Sequence, residues 1–574
     1  MSPHKQLGPK VLSSAPVVRR RRGASIPRLA QAAGASMALV AILVWSWSGS
    51  AGAASGSLVT AGPVAPVSAP GGSFLRDAHG RVVLMHGVDL MYKLPPYEIV
   101  TSGTGVNVLT NAEAASIASD GFDVVRLGIF WKGLEPGTAA MNDPAICTPG
   151  KPKVAGPGQF DAKIFDAYMT KLEQTISLLA RHGIYSLVDM HQDSMNEVFA
   201  GEGFPNWAVC TDGITPVAYR NVAAWGVNQI DAGMAQAQGH FWANDVVGNL
   251  QGAYDQIWAK IASRLANNPW VIGYDPFNEP FSPSILLHTD QNAAFDAQVQ
   301  CFYAGRAHPG QTQSGQRITD CPPDDPEDGV IPTIEHVDHR HAVFFEPDTT
   351  TSGPVPNHIG AMDFPRLVYN FHDYCPLHVP NGPEAPDYSQ VCPPAEEQVF
   401  ADSARDRAND ASAAQPDGPA WFLTEFGATT DAADLGRMVA DADADLVGWM
   451  YWQWLYYEDP TGSHDSGLWP AGPATSAQLY ALSETYAQAI AGTPTAMTFD
   501  PSTAVFHLSY RVDRAVTAPT VIFVPVSRHY PDSYCTKVTG GRATSSAGAT
   551  RLVVTNDPSA STVDVTVTPG ACGS

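Results

Sequence analysis

The stretch Val271-Ile272-Gly273-Tyr274-Asp275-Pro276-Phe277-Asn278-Glu279-Pro280 starts as a short β-branched and aromatic run and breaks at Pro276. It reads as a buried strand ending in a turn that carries a carboxylate. On either side of it, from about residue 75 to residue 492, short apolar runs alternate with longer helical ones. Eight runs have strand character: Val82–Leu90, Val124–Phe130, Tyr185–Met190, Val271–Tyr274, Ala342–Glu346, Leu367–His372, Ala420–Glu425 and Val447–Trp452. Helical spacing lies between them, as in Ala162–Arg181, where Ile164, Tyr168, Leu172, Ile176 and Leu179 recur before Gly183. Eight such units predict a (β/α)8 TIM barrel, an α/β fold. After Gly492 the texture becomes short strands (Ala504–Tyr510, Thr520–Val526, Arg551–Thr555) separated by Ser, Thr and Gly turns. A small all-β sandwich over residues 493–574 is expected.

Residues 1–53 are of another kind: Arg19-Arg20-Arg21-Arg22, then an apolar run from Ala35 to Trp47, then Ala51-Gly52-Ala53. That order of basic, apolar and small residues is the pattern of a secretory signal peptide. The apolar run is shorter than the ~20 residues a membrane-crossing helix needs, so cleavage and secretion are expected rather than a retained anchor. Residues 54–74 read as a linker. Seven of the 33 basic residues and no acid lie in residues 1–53, so the remaining chain carries a formal charge of −31. So acidic a protein is a poor partner for nucleic acid.

The eight cysteines (Cys147, Cys210, Cys301, Cys321, Cys375, Cys392, Cys535 and Cys572) all follow the signal pattern and form no Cys-x-x-Cys pair. In an exported chain they are expected to be disulfides. Sequential pairing, 147–210, 301–321, 375–392 and 535–572, would staple two long loops and the C-terminal domain, although 8 cysteines allow about 105 pairings. No histidine near them has zinc-site spacing, so no metal is expected. Two loops exceed ordinary connectors: Asn196 to about Asn244, and Ala307 to His341. Loops of that length at strand C-termini usually shape a binding site.

Glu279 and Glu425, the latter in Leu423-Thr424-Glu425-Phe426-Gly427, fall at the ends of the fourth and seventh predicted strands. Barrel enzymes place their catalytic groups at such ends. Two carboxyls flanking one bond can cleave a glycoside, one protonating the leaving oxygen and the other attacking the anomeric carbon or activating water.

These segments resemble glycoside hydrolase family 5, whose members carry Asn-Glu-Pro after strand four and a second Glu on strand seven. The resemblance implies that Glu279 is the acid/base and Glu425 the nucleophile of a retaining β-glycosidase, with no cofactor. Arg126 resembles the family's strand-two arginine beneath the nucleophile; alone it would read as a structural ion-pair residue. His191 is similar to the strand-three histidine that contacts the sugar, and His372 with Tyr374 to the His-x-Tyr pair whose tyrosine bonds the nucleophile. Asn278 would hydrogen-bond the sugar 2-hydroxyl, and Trp452, out of Trp449, Trp452 and Trp454, would form the aromatic floor. Glu425 must be ionised and Glu279 protonated for this chemistry, and Arg126 supplies the asymmetry.

Gly87-Val88-Asp89-Leu90-Met91-Tyr92-Lys93 and Asp189-Met190-His191-Gln192-Asp193 look like segments of the endoglycoceramidase branch, which separates an intact glycan from ceramide. That likeness makes Lys93 and Asp193 ligands of the sugar next to ceramide, rather than a surface lysine and a loop-capping aspartate. It also implies a glycosphingolipid substrate met through transient contact with a micelle or membrane surface. The Ala307–His341 insertion and several cysteines depart from the branch. Phe204-Pro205-Asn206-Trp207 and Gly239-His240-Phe241-Trp242 offer aromatic rings either to a ligand or to packing of their own loop. The rival readings are a family member acting on β-glucan, mannan, galactosylceramide or glucosylceramide, and a catalytically silent glycolipid- or carbohydrate-binding protein.

Overall fold

The computed structural model describes residues 64–69, 72–137, 160–217, 231–245, 249–282, 291–318, 321–353, 355–375, 388–460, 466–470 and 475–572. Residues 1–53, and with them the expected signal peptide, lie outside the described residues. Two strands, Ala65–Ala69 (β1) and Gly72–Arg76 (β2), form an antiparallel hairpin ahead of the main fold. Next come His86–Leu90 (β3), Val124–Ile129 (β4), Tyr185–Met190 (β5), Val271–Asp275 (β6), Ala342–Phe345 (β7), Leu367–Asp373 (β8), Ala420–Phe426 (β9) and Gly448–Tyr451 (β10). These eight pair in parallel, and β10 closes onto β3 to complete a barrel.

Each expected barrel strand is present, within a few residues of its expected limits. The first is the most altered, starting at His86 rather than Val82. Val82 instead bridges Arg76 on one side and Ile490 on the other. The helix Ala162–Arg181 has the expected span and is capped by Asp161, whose side chain accepts the Lys163 N–H. Its buried stripe runs through Phe165, Tyr168, Met169, Leu172 and Ile176, while Ile164 is exposed.

Residues 65–69 and 72–74, within the 54–74 span expected to be a linker, belong to the β1–β2 hairpin instead. Val64 and Leu75 are buried among Val83, Met85, Tyr185, Ile272, Phe344 and Phe422, inside one end of the barrel. The Ser73 hydroxyl donates to the Gly418 carbonyl, tying the hairpin to the approach of β9. A stretch of Val, Ala, Pro and Ser becomes a plug because the barrel's open end offers apolar side chains that must be covered.

The C-terminal domain is a two-sheet sandwich of eight strands: Tyr486–Ala489 (β11), Gly492–Asp500 (β12), Val505–Val512 (β13), Thr520–Phe523 (β14), Tyr534–Thr539 (β15), Gly541–Ala543 (β16), Arg551–Asn556 (β17) and Thr562–Pro569 (β18). One sheet runs β11-β14-β17-β16, the other β12-β13-β18-β15. Sequence reading found three of these strands. Of the others, β11 and β16 are only four and three residues long, and β12 and β18 each carry three Thr and a Pro and bury roughly alternate residues. Because β11 pairs with β14, the domain begins near Thr485 rather than at 493, which corrects the boundary.

Domain and barrel share a polar seam. The Tyr486 hydroxyl donates to the Gly121 carbonyl at 2.6 Å, and Gln488 Nε2 donates to Asp123 at 3.2 Å. Arg528 pairs with Asp120, and Ile490 and Val82 exchange backbone bonds. Cys301–Cys321, Cys375–Cys392 and Cys535–Cys572 are disulfides; Cys147, the expected partner of Cys210, lies outside the described residues. Among the described residues no helix is long and apolar enough to cross a membrane.

Leu75 is 4 % exposed, so Leu75→Ala should cost about 2–4 kcal/mol of unfolding free energy through the cavity it leaves. Denaturant unfolding measures this, and an unchanged midpoint would show the hairpin to be dispensable to the barrel.

Candidate active site

The strands of a barrel point alternate side chains inward, and here the inward residues at the strand C-termini are charged rather than aliphatic. Arg126 on β4 is fully buried and faces five carboxylates. Its guanidinium contacts Glu425 through Nη1; Nη2 lies 2.9 Å from Asp275, 2.9 Å from Glu346 and 3.2 Å from Asp189, and Asp89 is 3.6 Å from Nη1. Nη2 also donates to Asn278 Oδ1 at 2.7 Å. Asn370 on β8 donates to Asp275 and Glu346 and accepts the Thr424 hydroxyl, filling the space between the acids.

Glu425 lies on β9 beside His372 on β8. The Tyr374 hydroxyl donates to Glu425 Oε2 at 2.9 Å. His372 Nδ1 is 2.9 Å from Glu279 Oε1 and 3.5 Å from Glu425 Oε2, and its Nε2 is 3.4 Å from Glu346. One oxygen of Glu279, one of Glu425 and a ring nitrogen of His372 lie within 4.8 Å of one another. Burial by itself would raise Glu425, but the charges of His372 and Arg126, helped by His191 and Lys93, hold its carboxyl below the usual range. Burial opposes charge on His372 too, yet Glu346 and Glu425 push it well above an ordinary histidine. Arg126 is held charged by Asp189, Asp275, Glu425 and Glu346 despite its burial.

Glu279 sits in left-handed backbone, φ 46°. A non-glycine residue there is strained by about 1–3 kcal/mol and needs outside support. The Glu279 N–H donates to Glu346 Oε2 at 2.7 Å, and Gln192 Nε2 donates to the carbonyls of Asn278 and Glu279. The turn after β6 is therefore held from the ends of β7 and β5.

A second cluster lies alongside. Lys93 Nζ is 2.6 Å from Asp193 Oδ2 and 4.3 Å from the centre of the Trp452 ring. His191 stacks on Trp452, donates through Nδ1 to the Asp189 carboxylate (2.8 Å), and lies 3.3 Å from Asp193. Burial would lower His191, but Asp189 and Asp193 push it up to about 9. The neighbouring tryptophans are elsewhere: Trp449 is buried against His86 and Phe426, and Trp454 stacks on Trp469.

The ten residues singled out from sequence thus fall into two adjoining groups. Asn278 departs in part from its expected role, since its oxygen receives Arg126 while its amide nitrogen donates to the Gln192 carbonyl. Phe204, Trp207, Phe241 and Trp242 are core, packed on Trp131, Tyr254, Phe277, Phe295 and Phe302, and present no ring to a ligand. Sequence reading passed over Asp89, Asp189, Asp275, Glu346 and Asn370. For the four acids the signal was a carboxylate at or next to the end of an otherwise apolar strand, repeated on four strands; Asn370 lies in the middle of β8.

A barrel whose strand ends present two close carboxyls, one held ionised by a buried arginine, is a hydrolase of the two-carboxylate class. Residues 89–458 match the profile described as cellulase (glycosyl hydrolase family 5), and residues 485–568 match the glycoside hydrolase family 5 C-terminal domain. The chain belongs to glycoside hydrolase family 5. Among curated proteins it is similar to endoglycoceramidase I of Rhodococcus hoagii (strain 103S), 28% identical over 523 residues covering 88% of each chain. It is also similar to an endoglycoceramidase of Hydra vulgaris, 25% identical over 499 residues and 81% of each chain. The solved ganglioside GM3 complex of endo-glycoceramidase II from Rhodococcus sp. shares the fold, with TM-score 0.66 and 24% identity, over 87% of this chain and all of that one.

Tyr374→Phe removes a hydrogen bond that favours ionised Glu425, so the carboxyl should titrate higher. The acid limb of kcat/KM against pH should move to higher pH than in the wild type, with activity down by roughly 10- to 100-fold. An acid limb that stays in place would show that the contact does not set the ionisation of Glu425.

Proposed function

We propose that this protein is an exported retaining β-glycosidase that cleaves the bond between glycan and ceramide in glycosphingolipids. The observation that carries the mechanism is the close approach of Glu279 and Glu425, whose nearest oxygens fall within 4.8 Å. Retaining enzymes hold their carboxyls about 5–5.5 Å apart, whereas inverting ones leave room for a water at about 6.5–9.5 Å.

Glu425, kept ionised by His372 and Arg126, attacks the anomeric carbon while Glu279 gives its proton to the departing ceramide oxygen. Glu279 then takes a proton from the water that releases the glycan. His372 between the two carboxyls moves no atom of substrate; its positive charge lowers the cost of holding Glu425 as an anion. Lys93, Asp193, His191 and Trp452 form a polar rim and an aromatic face suited to a sugar ring and its hydroxyls.

The ceramide-linked substrate is supported by the two curated relatives named as endoglycoceramidases, which align over more than four-fifths of this chain, and by Lys93 and Asp193 lying together beside Trp452. Export is supported by the N-terminal sequence pattern and by three disulfides, which persist in oxidising surroundings. Contact with a lipid surface is transient in this reading, lasting as long as one glycolipid is engaged.

Incubation with defined glycosphingolipids should release intact oligosaccharide and ceramide, with the new reducing end first appearing as the β-anomer by NMR. Glu425→Ala should fall to background, and Glu279→Ala should lose about 10²–10⁴-fold. Release of single sugars, or hydrolysis confined to β-glucan or galactosylceramide, would overturn the substrate assignment; first appearance of the α-anomer would overturn the mechanism.

A further inference from the structure

Asp193 stands next to a carboxyl that the chemistry above does not use. Glu202 lies in the loop after β5, and its backbone pairs with Asp193 in an antiparallel bridge, Glu202 N–H to the Asp193 carbonyl at 2.8 Å and the reverse bond at 3.1 Å. The flanking residues must be glycine for this approach. A Cβ on Gly201 would fall 1.7 Å from the Asp193 carbonyl oxygen, and one on Gly203, at φ +123°, would fall 2.4 Å from the Gln192 Cβ. Gly201-Glu202-Gly203 is thus pressed flat against Gln192–Ser194, with the Glu202 side chain fully buried.

Neither Glu202 oxygen receives a hydrogen bond from a described residue. One oxygen of Glu202, one of Asp193 and a His191 nitrogen nevertheless lie within 4.8 Å of one another. Two anions directly opposite on paired backbone repel, and a buried carboxylate without donors costs several kcal/mol. The contact left to Glu202 is to give a proton to Asp193.

We propose that Glu202 is a positioning residue of the sugar subsite, hydrogen-bonding the Asp193 carboxylate as a neutral acid so that Asp193 keeps one orientation, toward Lys93 and His191, while it receives a sugar hydroxyl. The groups facing Glu202 agree with that assignment. Lys93, Asp193, His191, Asp459 and Tyr457 surround it; burial first, and the Asp193 charge second, push Glu202 well above a normal glutamate, and Lys93 opposes them. Asp193 moves the other way, held low by Lys93 and His191 against its burial. A proton on Glu202 and none on Asp193 fixes the direction of the bond, and leaves Asp193 as the acceptor for substrate.

The inference deepens the proposed function by assigning a residue to its sugar subsite, and it rests on that reading. Its test compares wild type, Glu202→Gln and Glu202→Leu in kcat and KM on a lactosyl ceramide across pH, with unfolding midpoints as a control. Gln keeps a neutral donor and should stay within about twofold of wild type, whereas Leu should raise KM roughly tenfold with kcat little changed. The wild type should lose more affinity at alkaline pH than the Gln variant, because Glu202 gives up its proton only in the wild type, whereas His191, raised to about 9, titrates in both. Equal impairment of Gln and Leu, unchanged KM in Leu, or the same alkaline loss in Gln would each overturn the proposal. If the Leu variant does not fold, the Gln pH profile decides alone. Should the wild type leave the lipid intact, the substrate reading fails, and the same three proteins are compared on an aryl β-glucoside to judge Glu202 separately.

Discussion

One buried guanidinium holds the catalytic end of this barrel together. Arg126 is surrounded by acids from five strands or strand ends: Asp89, Asp189, Asp275, Glu346 and Glu425. Five carboxylates so close could not all be ionised around one positive charge, and burial together with mutual repulsion raises Asp89, Asp189 and Asp275. Of the shifted acids that face Arg126, Glu425 alone goes down, because His372 adds a second positive charge on its side. Electrostatic inequality among chemically similar groups is what sets the ionised Glu425 apart from its neighbours.

The same network fixes geometry. Glu346 accepts from Arg126, from Asn370 and from the Glu279 N–H, so the residue that helps neutralise the guanidinium also supports the strained turn carrying Glu279. Removing the arginine would leave buried carboxylates unpaired, and breaking a buried ion pair costs about 3–5 kcal/mol. Stability and the geometry of the two-carboxyl site therefore share residues here. The second cluster, Lys93 with Asp193, His191 and Trp452, follows the same rule of paired buried charge.

The site also depends on parts distant from it. The N-terminal hairpin closes the opposite end of the barrel, and the sandwich domain braces the β3–β4 side through Tyr486, Gln488 and Arg528. Family-specific segments beside the site come from loops, as is usual for barrel enzymes, but two of the aromatic loop segments are turned inward. Phe204, Trp207, Phe241 and Trp242 fill the layer beneath the loop, where burying a ring is worth more than exposing it.

By itself the sequence determined the eight-strand barrel, the helix Ala162–Arg181, and the pair Glu279 and Glu425 at strand ends, because apolar periodicity and a carboxylate next to Pro280 are local signals. Arg126, His372, Tyr374, His191, Lys93, Asp193 and Trp452 were legible only through likeness to a family, since each is an ordinary residue until its neighbours are known. Tertiary structure alone decided the rest. The ring of acids about Arg126 spans residues 89 to 425, and no local pattern records which inward positions meet. The hairpin residues up to 74 looked like part of a linker because their burial depends on an apolar surface supplied by distant strands. β11 was read into the barrel because four residues carry too little pattern to reveal the partner with which they pair. Local patterning chooses elements; which charges face one another, and hence which carboxyl is ionised, is set by closing the barrel.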